Sequence, residues 1–433
     1  MSDNFKHLSA TPLRRAALEI AEAGLVAIAT PAAVRRLVIL KDNKLVIGGY
    51  SYNFTEISRL LIVGIGKCAL EAGLELEKIL GDRLAGGIIV DVHQPESEVS
   101  PPAGGSSLEI FTGTHPFPSD QNIDITKKII GFLGGLKEND LVIFVISGGG
   151  STLLCQPRDM TCYNEADLLK AMFADGASIQ EINTVRKHLS LARGGWLAKY
   201  LYPARGAALI FSDVPGDDLA FVASGPTFKD ETTMAAAEMI VKKYDIEKLC
   251  GFSCNLIETP KDDVYFQNIR NILAVSNKTA LTAMAAKAGE LGFKMEIKTA
   301  EMVGEANVAG RQIAEDLKTA PSKTVFLYGG ETTVTVKKPG RGGRNQELAL
   351  AALPHLRDGE LVLALASDGR DNGEYAGAIA DVETLKKALI SGLKPEEFLA
   401  GNRSTDFFEK TEDLLMTGDT GSNVSDLVVA IKE

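Results

Sequence analysis

Leu141 to Thr152 reads LVIFVISGGGST, an uninterrupted apolar run followed at once by three glycines between hydroxyl residues. The run is β-branched or aromatic from Val142 to Ile146, the pattern of a strand buried on both faces. Glycines directly after such a strand let backbone N–H groups approach an anion without obstruction from Cβ, and a helix starting just beyond would add its positive end. A second strand-like run, RLLIVGIGK, closes on Gly64-Ile65-Gly66-Lys67. Lys67 then opens a helical pattern, where the peptide dipoles disfavour a cation; a bound anion would balance it, although by position alone an exposed lysine fits equally well. In KKPGRGGRNQELALAAL, two arginines flank two glycines, and Arg344, Asn345 and Gln346 fall in the first turn of a helix, so guanidinium and N–H groups converge on one spot. Asp213 ends the strand-like LIFSD and Asp368 the strand-like LASDG. Each could hold Mg²⁺ or orient a hydroxyl, against the competing reading that Asp beside Gly or Pro only makes turns. Together these residue types suit phosphoryl transfer, which needs positioned cations, backbone donors and carboxylate-held Mg²⁺ more than a covalent nucleophile.

The elements that must position these residues follow from periodicity. Residues from Thr11 to Leu37 read as two helices split near Pro31, and 59–80 as strand, glycine turn and helix. GGIIVDVH (86–93) reads as a strand, Gln94 to Ser107 as a loop, and Asn122 to Leu136 as a helix leading into the glycine-ended strand. His115 precedes Pro116 and is expected in extended backbone, with a structural role preferred over a ligand-binding one. SIQEINTVRKHLSLARGGWLAKYL (178–201) reads as helical except at Gly194-Gly195. Its basic residues Arg186, Lys187, His188 and Arg193 are expected mostly on a solvated face. A strand over 206–212 leads to Asp213, a second acidic pair Asp217-Asp218, and Ser224-Gly225. After a helix over 232–244, the irregular Cys250 to Gln267 is expected to connect two domains, 1–250 and 251–433. The second half carries strands at Ile272 to Val275, before Gly329-Gly330-Glu331 and over 361–366, and helices over Lys278 to Leu291 and around Val303 to Leu317. It closes on a glycine- and hydroxyl-rich loop, Thr417 to Asn423, and a final strand. Strands alternating with helices, with glycine at strand C-termini, predict α/β domains, the N-terminal one a doubly wound, Rossmann-like parallel sheet that binds ligands at its C-terminal edge.

Composition narrows the functions. A chain of 433 residues, 45% hydrophobic and 24% charged, is ordinary for a globular protein of two or three domains. A net charge of −11 argues against an extended nucleic-acid-binding face. No apolar run reaches the length of a membrane span, and charge interrupts the N-terminal segment where a signal peptide would be apolar, so a cytoplasmic protein is expected. Five cysteines without a CxxC framework predict free thiols and no zinc site. GIGKCAL lacks the third glycine of GxGxxG, and no GxxxxGK[ST], HRD or DFG set is present.

Six strings, SGGGSTLL, KHLSLARGGWLA, IFSDVPGDDLAFVASGPT, GGETTVTVKKPGRGGRNQELALA, SDGRDNGEYAGAIAD and TGDTGSNVSDL, resemble in content and order the glycerate 2-kinase family, whose C-terminal part is the MOFRL domain. The resemblance runs from about Lys67 to the C-terminus. It implies ATP-dependent phosphorylation of D-glycerate at the 2-hydroxyl with Mg²⁺, in a cleft between two α/β domains. It also implies catalytic roles for Lys67 and Arg344; from its place at a strand end Asp213 is a third catalytic candidate, and Asp213 and Asp368 are the candidate metal ligands. Ser147, Gly148, Gly149, Gly150, Ser151 and Arg193 are the expected binding residues of the first half. Glu331, Asn345, Glu347, Asp419 and Asn423 are those of the second. Relatives often show SDGxDGxTxAAG where this chain has SDGRDNGEYAGAIAD, which leaves the contacts of Asp371 and Asn372 open. Expected partners are D-glycerate and ATP, with no nucleic acid and no membrane; the oligomeric state is open, a homodimer being one expected form. The alternatives are an NAD-dependent hydroxypyruvate reductase, a kinase for a related small sugar acid, and a non-catalytic ligand-binding protein.

Overall fold

The computed structural model describes residues 4–93, 107–158, 162–214, 216, 218–251 and 253–433, the side chains of 162 and 163 excepted. Most of the expected loop from Gln94 to Ser107, and Asp217, lie outside the described residues. The chain divides into two compact units, one of Ala33–Ser212 with Asp218–Ala274, the other of Met1–Ala32, Asp213–Asp217 and Val275–Glu433.

The first, the parallel-sheet unit, begins with a small antiparallel meander of β1 (Val38–Lys41), β2 (Lys44–Ile47) and β3 (Tyr50–Asn53). Its main sheet contains β4 (Arg59–Ile65), β5 (Leu84–Asp91), β6 (Leu108–Thr112), β7 (Asp140–Ser147), β8 (Arg205–Phe211) and β9 (Ile269–Val275) in the order β6-β5-β4-β7-β8-β9. The pairs β6/β5, β5/β4, β4/β7 and β7/β8 are all parallel. Every residue of β7 is buried, as a strand covered on both faces requires. Strand order runs outward from β4 in one direction and from β7 in the other. The topological switch point of this Rossmann-like sheet therefore lies between the ends of β4 and β7. Those ends carry Lys67 and the triple glycine.

The second, the mixed-sheet unit, holds β10 (Lys294–Met302), β11 (Thr324–Gly330), β12 (Glu360–Ala366), β13 (Gly377–Asp381), β14 (Leu414–Leu415) and β15 (Asp426–Lys432), in the order β10-β11-β15-β12-β13-β14. Only β10/β11 is parallel; β15 runs antiparallel to both β11 and β12. Sequence periodicity missed β10 because KMEIKTAEM, on an edge, is exposed or half-buried up to its last residue and its apolar alternation is confined to Met295 and Ile297. One core of this unit gathers Phe326, Leu348, Phe407, Phe408 and Val428.

A single cut after residue 250 does not represent this division. The first 32 residues belong with the C-terminal unit, and 251–274 with the parallel sheet through β9. A buried arginine is one of the ties that hold the N-terminal helix to that unit. Helix Pro12–Ile28, capped by Thr11 accepting from Arg14 N at 3.2 Å, sends the Arg14 guanidinium to Asp381 at 2.6 Å and Asp413 at 2.7 Å. Gly24 on the same helix meets Met284 so closely that a Cβ would lie 2.8 Å from its side chain.

Candidate active site

In the parallel-sheet unit, β4 and β7 are adjacent and in register from Arg59/Asp140 to Ile65/Ile146, so their terminal turns lie side by side. Lys67 N donates to Gly148 O at 3.0 Å and Cys68 N to Ser147 Oγ at 3.3 Å, which ties the two turns together. Gly66 has φ +121°, and a Cβ there would stand 2.2 Å from Ser147 Oγ, so only glycine permits the joint. Ser147 and Gly150 are buried, and Gly148, Gly149 and Ser151 half-buried. Ser151 Oγ lies 2.8 Å from Ser224 Oγ, which donates to Asn183 at 3.2 Å. The Lys67 stem runs alongside Gly149, its Cγ 3.2 Å from where a Cβ would sit, with His115 Cδ2 3.5 Å from the same point. Among the described residues no carboxylate pairs with Lys67. His115 keeps an exposed surface, yet crowding of its ring, followed by the charges of Lys67 and Arg186, lowers its pKa to about 4. The imidazole is neutral at pH 7.

Two expectations need correction here. The helix after the glycines spans only Gly150–Leu153. One turn aligns too few peptide dipoles to supply the expected positive end, so any anion would depend on the loop's N–H groups and the side-chain cations. The basic run is not a solvated face either. Arg193 is fully buried with its Nη1 2.7 Å from Glu165, Lys187 pairs with Asp230 at 3.2 Å, and His188 Nδ1 contacts Ile257 O at 2.8 Å. Helix Ile179–Leu189 packs its apolar face into a core with Leu168, Met172 and Val241, which draws its charged residues inside with their partners.

In the mixed-sheet unit, Arg344 begins helix Arg344–Ala352. Its Nε and Nη2 donate to the two oxygens of Asp426 at 2.7 and 3.0 Å, and its Nη1 to Glu331 at 2.7 Å. Asn345 Nδ2 donates to Asp426 at 2.8 Å. Asp371 accepts from Asn345 N at 3.0 Å and Gln346 N at 2.9 Å. The helix therefore receives its anion from within the chain, and these N–H groups do not await a ligand as the sequence suggested. Burial drives the Asp426 pKa up to about 6 against the opposing pull of Arg344, and raises that of Asp371 against its backbone donors. For Arg344, burial opposes the charge, but the Asp426 hydrogen bond and charge outweigh it and raise the pKa. Beside this cluster lies a cavity of about 440 Å³ whose lining includes Glu331, Thr332, Val334, Arg344 and Arg370.

Of the remaining expected residues, Glu347 lines the same cavity, whereas Asp419, Asn423, Asp213 and Asp368 do not. Glu347 is buried and accepts from Asn307 at 3.1 Å and Asn402 at 3.3 Å. Asp419 and Asn423 each close a turn, accepting from Gly421 N at 3.0 Å and Ser425 N at 2.9 Å. Ser425 also links the two metal candidates: its Oγ donates to Asp213 O at 2.8 Å, and its carbonyl accepts from Ser367 N, next to Asp368, at 3.0 Å. Asp368 accepts from Arg370 N at 3.0 Å, so turn chemistry engages one of its oxygens. Among the described residues no group of three or more His, Cys, Asp or Glu is placed to hold a metal ion. A donor set of one or two carboxylates fits Mg²⁺ that arrives with phosphate oxygens and water.

Asp426 escaped the sequence reading, and Arg186 was named there only as part of a basic run expected mostly on a solvated face. Asp426 opens a strand, whereas the rule for parallel sheets looks at strand C-termini. Because β15 is antiparallel to β11 and β12, its first residue pairs with Gly330 and Ala366 at their last. An aspartate opening the final apolar run was the available signal.

Two family models match the chain: a domain of unknown function, DUF4147, over residues 16–253, and the MOFRL family over 324–426. The chain belongs to the glycerate 2-kinase family. It is 36% identical to the glycerate 2-kinase of Pyrococcus horikoshii, with 92% of each chain covered. A protein of Agrobacterium vitis, provisionally named a hydroxypyruvate reductase, is 37% identical with 85% of this chain and 86% of that one covered. The crystal structure of glycerate kinase from Thermotoga maritima superposes with a TM-score of 0.83 at 31% identity, covering 97% of this chain and 99% of that chain.

Proposed function

We propose that this protein transfers the γ-phosphoryl group of ATP to the 2-hydroxyl of D-glycerate, giving 2-phosphoglycerate and ADP. The observation that carries the reading is Lys67, laid along Gly149 at the switch point of a parallel sheet with no carboxylate partner among the described residues. An amine without a counter-ion beside a glycine loop suits an anionic oxygen of the substrates. Arg344, held bidentately by Asp426, would stabilise charge on the transferring group through a guanidinium that need not reorganise. Asp213 or Asp368 would hold Mg²⁺, which when bound neutralises phosphate oxygens. The Ser147 to Ser151 loop would orient an anionic group through its backbone donors. No single helix among the described residues is long and apolar enough to cross a membrane.

A reductase would need a dinucleotide-binding turn, and the β4 turn GIGKCAL places lysine where a pyrophosphate-binding helix would begin, without a third glycine. The test is D-glycerate-dependent ADP release with Mg²⁺, coupled to enolase without phosphoglycerate mutase. ADP release with an enolase signal is expected. ADP release without that signal would move the phosphate to the 3-hydroxyl, and glycerate-dependent nicotinamide reduction without ADP release would replace the kinase by the reductase.

A further inference from the structure

Four arginines in this chain can be compared by what occupies the edge formed by Nε and Nη2, the side on which a guanidinium grips a carboxylate with two parallel hydrogen bonds. Arg14 gives that edge to Asp381, at 2.7 and 2.6 Å. Arg59 gives it to Asp140, at 3.1 and 2.5 Å. Arg344 gives it to Asp426, at 2.7 and 3.0 Å. In Arg186 the same two atoms, Nε and Nη2, have no hydrogen-bond partner among the described residues although both are buried; the same edge of Arg193 also lacks a partner, but that side chain has no exposed surface at all.

Among the described residues none supplies a carboxylate for that edge. Glu165 lies 3.7 Å from Arg186 Nε, beyond hydrogen-bond distance, and turns its oxygen instead to Arg193 Nη1 at 2.7 Å. One carboxylate thus faces two guanidinium groups. Lys67 and His115 flank Gly149 and add no negative charge, and the charge of Arg186 acts on the His115 ring. Burial, followed by repulsion from Arg193, lowers the Arg186 pKa to about 10, so the residue remains a cation at neutral pH. Arg186 thus keeps 12% of its side-chain surface exposed while its bidentate edge, itself buried, holds no partner among the described residues, the condition in which an added anion would stabilise a cation most.

We propose that Arg186 is a substrate-binding residue whose Nε–Nη2 edge receives the carboxylate of D-glycerate. The inference rests on the glycerate-kinase reading and deepens it, because it assigns the organic acid, and not the nucleotide, to the parallel-sheet unit at this position. A planar two-oxygen acceptor matches the edge as Asp381, Asp140 and Asp426 match it elsewhere.

The test is steady-state kinetics of Arg186→Gln and Arg186→Lys against wild type, with D-glycerate and ATP varied separately and folding checked by near-UV circular dichroism. Arg186→Lys keeps the charge and most of the volume but lacks the planar edge. The expected result is a rise of at least tenfold in KM for D-glycerate in both variants, with KM for ATP within twofold of wild type. A rise in KM for ATP instead would assign the edge to phosphate and overturn the proposal. Unchanged KM values for both substrates would overturn it too, leaving the edge to a buried water. If Arg186→Gln does not fold, Arg186→Lys decides alone. Wild-type protein serves as the control for the functional reading: absence of glycerate-dependent ADP release and of any glycerate-induced rise in melting temperature would sink that reading, whereas normal wild-type turnover with unaltered variants would sink only the role of Arg186.

Discussion

The two units treat positive charge in opposite ways. Around Gly149, Lys67 has no carboxylate partner among the described residues, and Arg186 shares one distant carboxylate with Arg193. Around Arg344, Asp426 and Glu331 bind the guanidinium directly, and Asp371 caps the helix it begins. Cations of the first kind raise the energy of the empty protein and are stabilised by a ligand. The second kind is stabilised already, and what it offers a ligand is direction. Unsatisfied charge suits drawing an anion in, and satisfied charge suits holding a fixed field.

The largest test of this contrast is activity. Lys67→Ala and Arg344→Ala should each lower kcat by about 10²-fold or more, the loss typical of a charge-stabilising group. Wild-type turnover in either folded variant would remove that residue from the reaction. Stability should then separate the two. Replacing Asp426 by Ala leaves a partly buried Arg344 with Glu331 alone and should cost about 2–4 kcal/mol by chemical denaturation. Lys67→Ala removes no internal ion pair and should leave the unfolding midpoint unchanged or slightly raised. Equal losses in both variants would erase the distinction.

A smaller effect concerns pH. The Asp426 carboxyl has its pKa raised from 3.8 to about 6 in the folded state, so between these values the folded protein holds a proton that the unfolded chain has released. Its contribution to stability is therefore present in full below pH 4 and is lost as pH rises through 6. Asp426→Asn should flatten that part of the stability profile, and an unaltered profile would show that another group sets the slope. The smallest expected change is at His115. Its imidazole, followed by NMR, should titrate near pH 4 in the wild type and higher in Lys67→Ala, though below 6.5, because crowding contributes more than charge. No movement at all would mean that Lys67 does not act on the ring.

Much of this was legible in the chain. The β4 and β7 turns announced themselves because buried parallel strands write continuous apolar runs and their glycine ends break them abruptly. Arg344 was legible from its position at a glycine-to-helix junction. What stayed hidden depends on partners distant in sequence. Asp426 reaches Arg344 only through antiparallel pairing, across 82 residues. The burial of Arg186, Lys187, His188 and Arg193 depends on Glu165, Asp230 and Ile257, none of which the helical spacing of the basic run reveals. Charge-dense helices are usually solvated, and that prior fails where tertiary contacts supply counter-ions.

The ion pairs of Arg14 also set an order of events during synthesis. Helix Pro12–Ile28 is among the first segments made, yet Asp381 and Asp413 lie near the other end of the chain. The roughly 240 residues assigned to the other unit and the short crossing segment must be translated before Val275 appears. At about 5–20 residues per second this takes on the order of 12–50 s. For that interval the apolar face of Leu18, Ile20 and Ile28 has no core to enter. The nascent chain must carry it past a parallel sheet whose own segments are becoming available to fold. Moving these residues to follow Glu433 would let the mixed-sheet unit assemble from nearly contiguous sequence.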